Sequence, residues 1–230
     1  MNGKILMAIG TYNERENISS VVEQVLSVTA GEPLDVLIID DNSPDGTGEI
    51  ADDLSKKNDR VHVIHGPRKR GLGRAYREAF AWAISRGYDA IITMDADFSH
   101  DPKYLPEMLR RRRECDVVVA SRYIPGGGVR NWPWYRKMVS RGGSIYARLV
   151  TGLPVHDATG GFNCYSRNVL QSIGLDTIKS EGYSFQIEMK YRSWKKGFRL
   201  CEMPIVFVDR TCGTSKMSKR IFLEAFFRCV

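Results

Sequence analysis

Two carboxylates separated by one residue, Asp95 and Asp97, directly follow the apolar run 90–94. A short apolar run is typical of a strand buried on both faces, so both side chains are expected at its carboxyl end. Aspartate oxygens at this spacing can share a hard divalent cation such as Mg²⁺ or Mn²⁺. The alternative is that the triplet only caps the next turn. Its position after the strand favours a metal site that stabilises a leaving diphosphate.

Two more polar clusters follow apolar runs in the same way. Residues 11–14 come after the run 5–9, and Asp40 and Asp41 come after the run 36–39. The carboxyl ends of parallel strands meet at one edge of a sheet, and ligands bind in the crevice beyond that edge. One such cluster could be ordinary loop polarity, but three on one edge predict a shared binding crevice.

The elements that must position these residues alternate between two periodicities. Apolar runs predict strands, and apolar residues at helical spacing predict the helices between them. Strands are predicted at 5–9, 36–39, 61–64, 90–94 and 117–119, and helices at 18–26, 46–57, 72–83 and 103–113. This alternation predicts an α/β protein with a mostly parallel sheet flanked by helices on both faces.

The pattern is less regular after residue 120. The stretch 125–128 (Pro-Gly-Gly-Gly) is expected to be flexible, and no domain linker is apparent. Further elements are predicted as strands at 162–166 and 200–208 and as helices at 183–195 and 217–228. The sequence therefore predicts a single domain over residues 1–230.

Charge is divided along the chain, whose formal net charge is +7. Residues 1–101 carry 11 basic and 17 acidic side chains, whereas residues 102–150 carry 11 basic and 3 acidic ones. This division favours a cation site in the first half and an anion or membrane-surface site in the second. It argues against a chain-wide nucleic-acid surface.

Several protein classes are disfavoured by missing patterns. The chain has no GxxxxGK[ST] sequence and no GxGxxG after its first strand, which disfavours P-loop ATPases and dinucleotide oxidoreductases. It has no run of about 18 apolar residues that could span a bilayer. The five cysteines are scattered without a CxxC pair, which argues against a zinc site and for a reducing cytoplasm.

Seven motifs occur in order along nearly the whole chain. They are residues 11–17 (Thr-Tyr-Asn-Glu-Arg-Glu-Asn), 40–47 (Asp-Asp-Asn-Ser-Pro-Asp-Gly-Thr), 95–100 (Asp-Ala-Asp-Phe-Ser-His), 121–123 (Ser-Arg-Tyr), 157–162 (Asp-Ala-Thr-Gly-Gly-Phe), 207–210 (Phe-Val-Asp-Arg) and 213–216 (Gly-Thr-Ser-Lys). This set resembles the polyprenol (dolichol) phosphate mannosyltransferases of the inverting glycosyltransferase family 2, which have the GT-A fold. The resemblance implies a nucleotide- and metal-binding half at about 1–121 and an acceptor-binding half at about 122–230.

The resemblance also implies which side chains bind the donor. Tyr12, Glu14 and Asp41 match positions that hold the base and ribose. The predicted nucleotide-sugar site comprises Thr11, Tyr12, Asn13, Glu14, Asp40, Asp41, Asp95 and Asp157.

Metal binding and catalysis are implied for a second set. Asp95 and Asp97 match the site of the metal, Mg²⁺ or Mn²⁺, and Ser99 stands where some members have a further metal contact. Arg210 and Lys216 match a mobile loop that closes on the donor phosphates. The catalytic residues predicted in this way are Asp97, Arg210 and Lys216.

The acceptor phosphate is predicted to bind Arg122, Arg136 and Ser140, which match the acceptor site of the family. Arg136 and Ser140 are four residues apart and would share one face of a helix. A guanidinium beside a hydroxyl is a suitable phosphate anchor.

The resemblance implies that mannose passes from GDP-mannose to a polyprenyl phosphate with inversion, giving a β-linked product. The second pKa of a phosphate monoester is near 6, so the acceptor is already a nucleophile at neutral pH. Asp157 and Glu188 are candidate sugar contacts, and would be the bases to suspect if the acceptor were a hydroxyl.

The sequence is also compatible with two other functions. A UDP-sugar, such as UDP-glucose, could be the donor in a related family 2 reaction. In a different class, the chain could be a non-catalytic nucleotide- or RNA-binding module, although its aromatic patterns do not match the common RNA-binding folds.

A membrane surface is the expected partner of the last segment. Residues 221–227 are mostly apolar and are flanked by basic side chains, as in helices that lie in a membrane interface. We expect a peripheral enzyme at the cytoplasmic face of a membrane, or one whose membrane segment or membrane-embedded partner lies outside this chain. Nucleic acid is not an expected partner.

Overall fold

The computed structural model describes residues 3–69 and 71–209, which form a layered α/β structure. Its strands are β1 (Ile5–Thr11), β2 (Leu34–Asp40), β3 (Val61–His65), β4 (Ala90–Asp95), β5 (Val117–Ser121), β6 (Gly128–Arg130), β7 (Asn163–Ser166), β8 (Leu200–Pro204) and β9 (Val206–Val208). Its α-helices are α1 (Ile18–Val28), α2 (Thr47–Lys57), α3 (Leu72–Ser85), α4 (Leu105–Arg111), α5 (Trp134–Thr151), α6 (Arg167–Ser172) and α7 (Gly182–Lys195).

Seven strands form one sheet in the order β3-β2-β1-β4-β7-β5-β8. All neighbouring pairs are parallel except those of β7, which runs antiparallel to both β4 and β5. The short strands β6 and β9 form a separate parallel ladder. The predicted mostly parallel sheet is confirmed, and β7 is its one reversed strand within the described residues.

Alternate residues of the central strands pack on opposite sides of the sheet, because successive side chains of a strand point to opposite faces. In β1, Ile5, Met7 and Ile9 join the core under α1 and α4. Leu6 and Ala8 join the other core, under α3 and α7. All five side chains are fully buried, so the middle of the sheet is covered on both faces, as predicted.

The second half of the domain differs most from the predicted elements. The long helix α5 was not predicted as an element, and the predicted strand 200–208 is divided at Ile205. The Ile205 N–H donates to Ser121 O, and its carbonyl accepts from Gly128 N, at 3.0 and 2.9 Å. The chain therefore changes its pairing partner at Ile205, from β5 to β6.

One glycine of the stretch 125–128, Gly127, lies against the backbone at the end of β5. A Cβ at Gly127 would lie only 2.7 Å from Ser121 O, so this turn can approach the end of β5 only with glycine. The predicted helix 217–228 lies outside the described residues.

Two cysteines predicted as thiols are paired. Cys115, which lies just before β5, forms a disulfide with Cys201 in the neighbouring strand β8, and their Cα atoms are 6.1 Å apart. The spacing of the cysteines did not predict this pairing, because it depends on the sheet order that places β8 beside β5. Cys164 remains a buried thiol, whose pKa burial raises to about 12. Cys212 and Cys229 lie outside the described residues.

Membrane-spanning helices were not predicted, and none of the helices within 3–69 and 71–209 is both long and apolar enough to cross a bilayer.

Leu37→Ala should lower the free energy of unfolding by about 2–5 kcal/mol, because this β2 side chain is fully buried in the core under α3. Leu149→Ala is the matched control, since Leu149 on α5 is 81% exposed. It should change stability by less than about 0.5 kcal/mol. Urea denaturation of both variants measures the difference, and equal losses would contradict the packing described.

Candidate active site

A cavity of about 350 Å³ opens beyond the carboxyl ends of β1, β2 and β4, where the sequence predicted a crevice. Its other wall is formed by residues that follow β5 and by the first turn of α7. Nine predicted site residues line it, namely Thr11, Tyr12, Glu14, Asp41, Asp95, Asp97, Ser99, Arg122 and Arg136.

Asn13 and Asp40 support the loop after β1 and do not line the cavity. The Asn13 backbone is left-handed, with φ 56°, and its N–H donates to Ser43 Oγ at 3.0 Å. Asp40 is buried and accepts hydrogen bonds from Thr11 Oγ1 and from Ser43 N, at 3.3 and 3.1 Å. These contacts hold Tyr12 and Glu14 at the cavity edge.

The rim on the β2 side holds two ionisable side chains that the sequence did not single out. Lys69 lies with its Nζ 4.1 Å from the centre of the Tyr12 ring. Glu181 accepts from Gly73 N at 2.9 Å, and burial raises the pKa of its carboxyl above the usual value. Asp41 accepts from Gly71 N at 3.1 Å. Lys69 follows β3 closely, so its sequence position could have indicated that it lies at the same sheet edge. Glu181 is far from any strand end of that edge and reaches the site only through tertiary packing.

The two carboxylates after β4 are held by a tight turn. The Asp95 N–H donates to His100 Nδ1 at 3.2 Å, and the buried His100 ring packs against Phe162. Asp97 Oδ1 accepts from both the backbone N–H and the hydroxyl of Ser99. Ser99 was predicted as a metal contact, and in the structure its hydroxyl hydrogen is directed at Asp97.

The residues present fit a divalent cation that arrives with a phosphorylated ligand. In the described part of the chain, no group of three or more acidic, histidine or cysteine side chains converges as a metal site. Asp95 and Asp97 offer only carboxylate oxygens, and Mg²⁺ commonly binds one or two carboxylates together with substrate phosphates and waters. The donor set suits a metal held jointly by protein and substrate.

Arg122 and Asp157 form a buried ion pair behind the opposite wall. Arg122 Nε and Nη2 each lie 2.7 Å from one oxygen of Asp157, and Nη2 also donates to Thr159 Oγ1. Burial opposes ionisation of Asp157, but the charge and hydrogen bonds of Arg122 outweigh it and hold the pKa below its usual value. Asp157 was predicted to bind the nucleotide sugar, and the structure places it behind Arg122, away from the cavity lining.

Arg136 and Ser140 share one face of α5, but only Arg136 lines the cavity. The Arg136 guanidinium lies 4.3 Å from the Trp132 ring centre, and its Nη1 is 2.8 Å from Asp209 Oδ2. Ser140 Oγ accepts from the Tyr123 hydroxyl at 2.6 Å. Arg210 and Lys216 lie outside the described residues.

Glu188 lies on α7 away from the cavity lining. Its carboxylate accepts from Ser180 Oγ and pairs with Arg192 at 2.6 Å. With Asp157 also held by Arg122, neither of the suspected bases faces the cavity as a lining residue.

A mostly parallel sheet, with paired carboxylates after a central strand and cationic side chains across the crevice, defines a nucleotide-sugar transferase of the GT-A type. The chain belongs to glycosyl transferase family 2, whose family model matches residues 7–174. The protein is therefore a glycosyltransferase, as the motifs predicted.

Two relatives cover almost the whole chain. The polyprenol monophosphomannose synthase of Mycolicibacterium smegmatis is 44% identical over 98% of this chain and 85% of its own length. The undecaprenyl-phosphate mannosyltransferase of Micrococcus luteus is 45% identical over 96% of this chain and 90% of its own length.

Solved structures support the fold. Glucosyl-3-phosphoglycerate synthase from Mycobacterium tuberculosis, in complex with Mn²⁺, UDP and glucosyl-3-phosphoglycerate, superposes with a TM-score of 0.70. It shares 17% identity, over 97% of this chain and 77% of its own. A second structure of that enzyme, with Mg²⁺ and UDP, also has a TM-score of 0.70, at 17% identity over 99% of this chain and 79% of its own.

Asp157→Asn should lower the free energy of unfolding by about 3–5 kcal/mol, because it leaves the Arg122 charge buried without its counterion. Asp176→Asn, at an exposed position, is the matched control. Since the pKa of Asp157 is lowered in the folded protein, this stabilisation is complete above the unfolded-state pKa. It is lost as pH falls through the lower folded-state pKa. Urea denaturation from pH 7 down into the acid range measures both effects, and equal stabilities of the two variants at pH 7 would contradict the ion pair.

Proposed function

We propose that the enzyme transfers mannose from GDP-mannose to a polyprenyl phosphate and forms a β-linked lipid product. The observation that carries this proposal is the division of charge within one cavity. Asp95 and Asp97 line one side, and Arg122 and Arg136 line the other. Such a cavity suits two phosphorylated substrates, one bound through a metal and one through guanidinium groups. The names of the two relatives support a mannosyl donor and a polyprenyl phosphate acceptor.

Donor binding is assigned to the β1 and β2 side of the cavity. Tyr12, Glu14 and Asp41 would hold the nucleoside, and Asp95 and Asp97 would hold Mg²⁺ or Mn²⁺ with the diphosphate. When bound, the metal supplies positive charge that stabilises the leaving diphosphate. The contacts from Ser99 to Asp97 fix that carboxylate in one orientation before the substrate binds.

The acceptor phosphate is assigned to Arg122 and Arg136. Its second pKa near 6 makes it mostly dianionic at neutral pH, so the phosphate oxygen can attack without a general base. Asp157 and Glu188 are each paired with an arginine, which agrees with a mechanism that uses no general base. The new bond forms between that oxygen and the anomeric carbon, while the bond to the nucleoside diphosphate breaks on the opposite face. The arginines at the acceptor phosphate and the metal at the donor diphosphate would together lower the cost of bringing the two anions together.

We propose that the outer face of α5 binds a membrane surface. Arg136 lies in the first turn of this helix, so the helix begins at the proposed acceptor site. Ser144 and Ala147 are its only buried residues within the described chain. Large apolar side chains are exposed along the helix, namely Trp134, Tyr135, Met138, Val139, Ile145, Leu149 and Val150. Lys137 and Arg141 are exposed beside them. Aromatic and aliphatic side chains flanked by cations are typical of helices that lie on anionic bilayers.

A donor screen tests the reaction. GDP-mannose with Mg²⁺ or Mn²⁺ and a short polyprenyl phosphate should give a chloroform-soluble mannosyl lipid, and Asp97→Asn should lower the rate at least about a hundredfold. Asp53→Asn, on the exposed surface of α2, is the control and should retain the parent rate.

Thermal shifts rank the nucleotides in parallel, because a ligand that binds only the folded state raises the melting temperature. GDP should raise it more than UDP in the presence of Mn²⁺. A higher rate and larger shift with UDP-glucose would overturn the GDP-mannose assignment.

Binding to anionic vesicles tests the membrane face. The double variant Met138→Glu with Leu149→Glu should lose most flotation with phosphatidylglycerol vesicles, because it places two anions on the exposed face of α5. The control is the double variant Lys56→Glu with Glu23→Leu, at exposed positions of α2 and α1, which should float like the parent. Equal flotation of the α5 variant and the parent would remove α5 from the membrane contact.

A further inference from the structure

The amide of Gln186 is a buried donor at the edge of the active-site cavity. The side chain lies on α7, lines the cavity and is 2% exposed. Its Nε2 has no hydrogen-bond partner among the residues that the structure describes. A buried donor without a partner costs about 1–3 kcal/mol, so this amide is a position at which a ligand can supply the missing acceptor.

The neighbouring contacts fix which end of the amide is the donor. Asn163 Nδ2 donates to Gln186 Oε1 at 3.1 Å and to Gly160 O at 2.9 Å. Reversing the Gln186 amide would set two NH₂ groups against each other, so Nε2 must point away from Asn163.

The nearby loop carbonyls already have donors. Lys190, one turn further along α7, donates to Gly160 O at 2.7 Å and to Ala158 O at 3.1 Å. Gly161 O accepts from Thr93 Oγ1 at 2.7 Å. The fully buried Lys190 therefore holds the loop against α7 while leaving Gln186 Nε2 without a backbone acceptor.

Gly161 opens a small notch in front of this donor. A Cβ placed on Gly161 would lie 3.7 Å from Gln186 Nε2, 3.8 Å from His100 Cε1 and 4.0 Å from Asp95 Oδ1. The space beside the glycine is thus bordered by an N–H donor on one side and by a carboxylate oxygen on the other. A hydroxyl group suits such a pair, because it accepts one hydrogen bond and donates another.

We propose that Gln186 determines sugar specificity by donating from Nε2 to one hydroxyl of the transferred hexose, which lies over Gly161 and donates to Asp95. This inference rests on the proposed function, since it places the donor's sugar in the same cavity as its diphosphate. A hexose without that hydroxyl leaves the amide unpaired, and sites of this kind reject such analogues. Lys190 is a positioning residue, because it orders the loop that forms the notch.

Gln186→Met tests the inference, because methionine is similar in length and lacks the donor. It should lower kcat/KM for the best nucleotide sugar about tenfold, the effect of losing one hydrogen bond. Affinity for the free nucleoside diphosphate with Mn²⁺, measured by calorimetry, should stay at the parent value. The variant also removes the Oε1 acceptor of Asn163, but any fall in the melting temperature should be small, because Asn163 Nδ2 keeps Gly160 O as an acceptor. Gln171→Met, at an exposed position of α6, is the matched control and should match the parent throughout.

Monodeoxy donors identify the hydroxyl. The parent should use one particular monodeoxy sugar nucleotide about tenfold less well than the full sugar, because that analogue lacks the hydroxyl bound by Gln186. Gln186→Met should use this analogue and the full sugar equally well, and its relative rates with the other monodeoxy donors should equal those of the parent. Gly161→Ala should also lower kcat/KM, because its methyl group fills the notch while making only ordinary contacts with its neighbours.

Two results would overturn the inference while leaving the proposed function intact. One is a Gln186→Met enzyme with the parent's kcat/KM and full discrimination among deoxy donors. The other is an equal loss of affinity for the free nucleoside diphosphate, which would place the amide at the nucleotide instead of the sugar. A parent enzyme that transfers no sugar from any nucleotide donor would instead overturn the proposed function, and this inference with it.

Discussion

The buried ion pair between Arg122 and Asp157 determines the shape of the wall opposite the paired carboxylates. Both groups lose their hydration in the fold. The two-point contact at 2.7 Å, the N–H donors to Asp157 and the contact of Arg122 with Thr159 offset that cost. The pair joins the end of β5 to the loop at 157–161, which Lys190 binds from the other side. Thr159, Gly160 and Gly161 consequently reach the cavity in one fixed arrangement, and the guanidinium stays beside it as a permanent positive charge.

The parallel sheet brings the other side of the site together. Because β1, β2 and β4 end at the same edge, acidic residues separated by more than fifty positions in the chain line one cavity. The early acidic and late basic regions of the sequence face each other there. This arrangement allows a family 2 glycosyltransferase to bind two anionic substrates side by side, because positive charge in the site offsets the repulsion between them. Under the proposed function, electrostatic positioning is then the main contribution of the protein to catalysis.

Local patterns in the sequence were sufficient to predict the strands and helices of the first 120 residues and the placement of Asp95 and Asp97. Apolar periodicity determines these elements, and the ends of the apolar runs determine where the two aspartates lie. The agreement is good in this half because the central strands are covered on both faces and therefore appear as continuous apolar runs. The helix α5 was not predicted as an element because Gly142 and Gly143 interrupt the helical pattern in its sequence, and because its apolar residues face outward. The division of β8 from β9 depends on the pairing of Ile205 with two different segments, which no local pattern encodes.

Side-chain roles were harder to predict than elements. Asp157 has the same local signature whether it binds a sugar or pairs with a buried arginine, and only the tertiary contact with Arg122 separates the two. Gln186 and Glu181 lie on or next to a helix whose sequence carries no motif for the cavity, so their contribution appears only when α7 is packed against the loop at 157–161.

In the proposed reaction, an oxygen of the acceptor phosphate attacks the anomeric carbon directly. Polyprenyl phosphate labelled with ¹⁸O in its non-bridging oxygens, incubated with GDP-mannose and Mn²⁺, tests it through NMR and mass spectrometry of the lipid product. Direct attack predicts a β-linked mannosyl lipid with ¹⁸O in the bond between sugar and phosphorus. An α-linked product, or one whose bridging oxygen lacks the label, would contradict direct displacement by the acceptor phosphate.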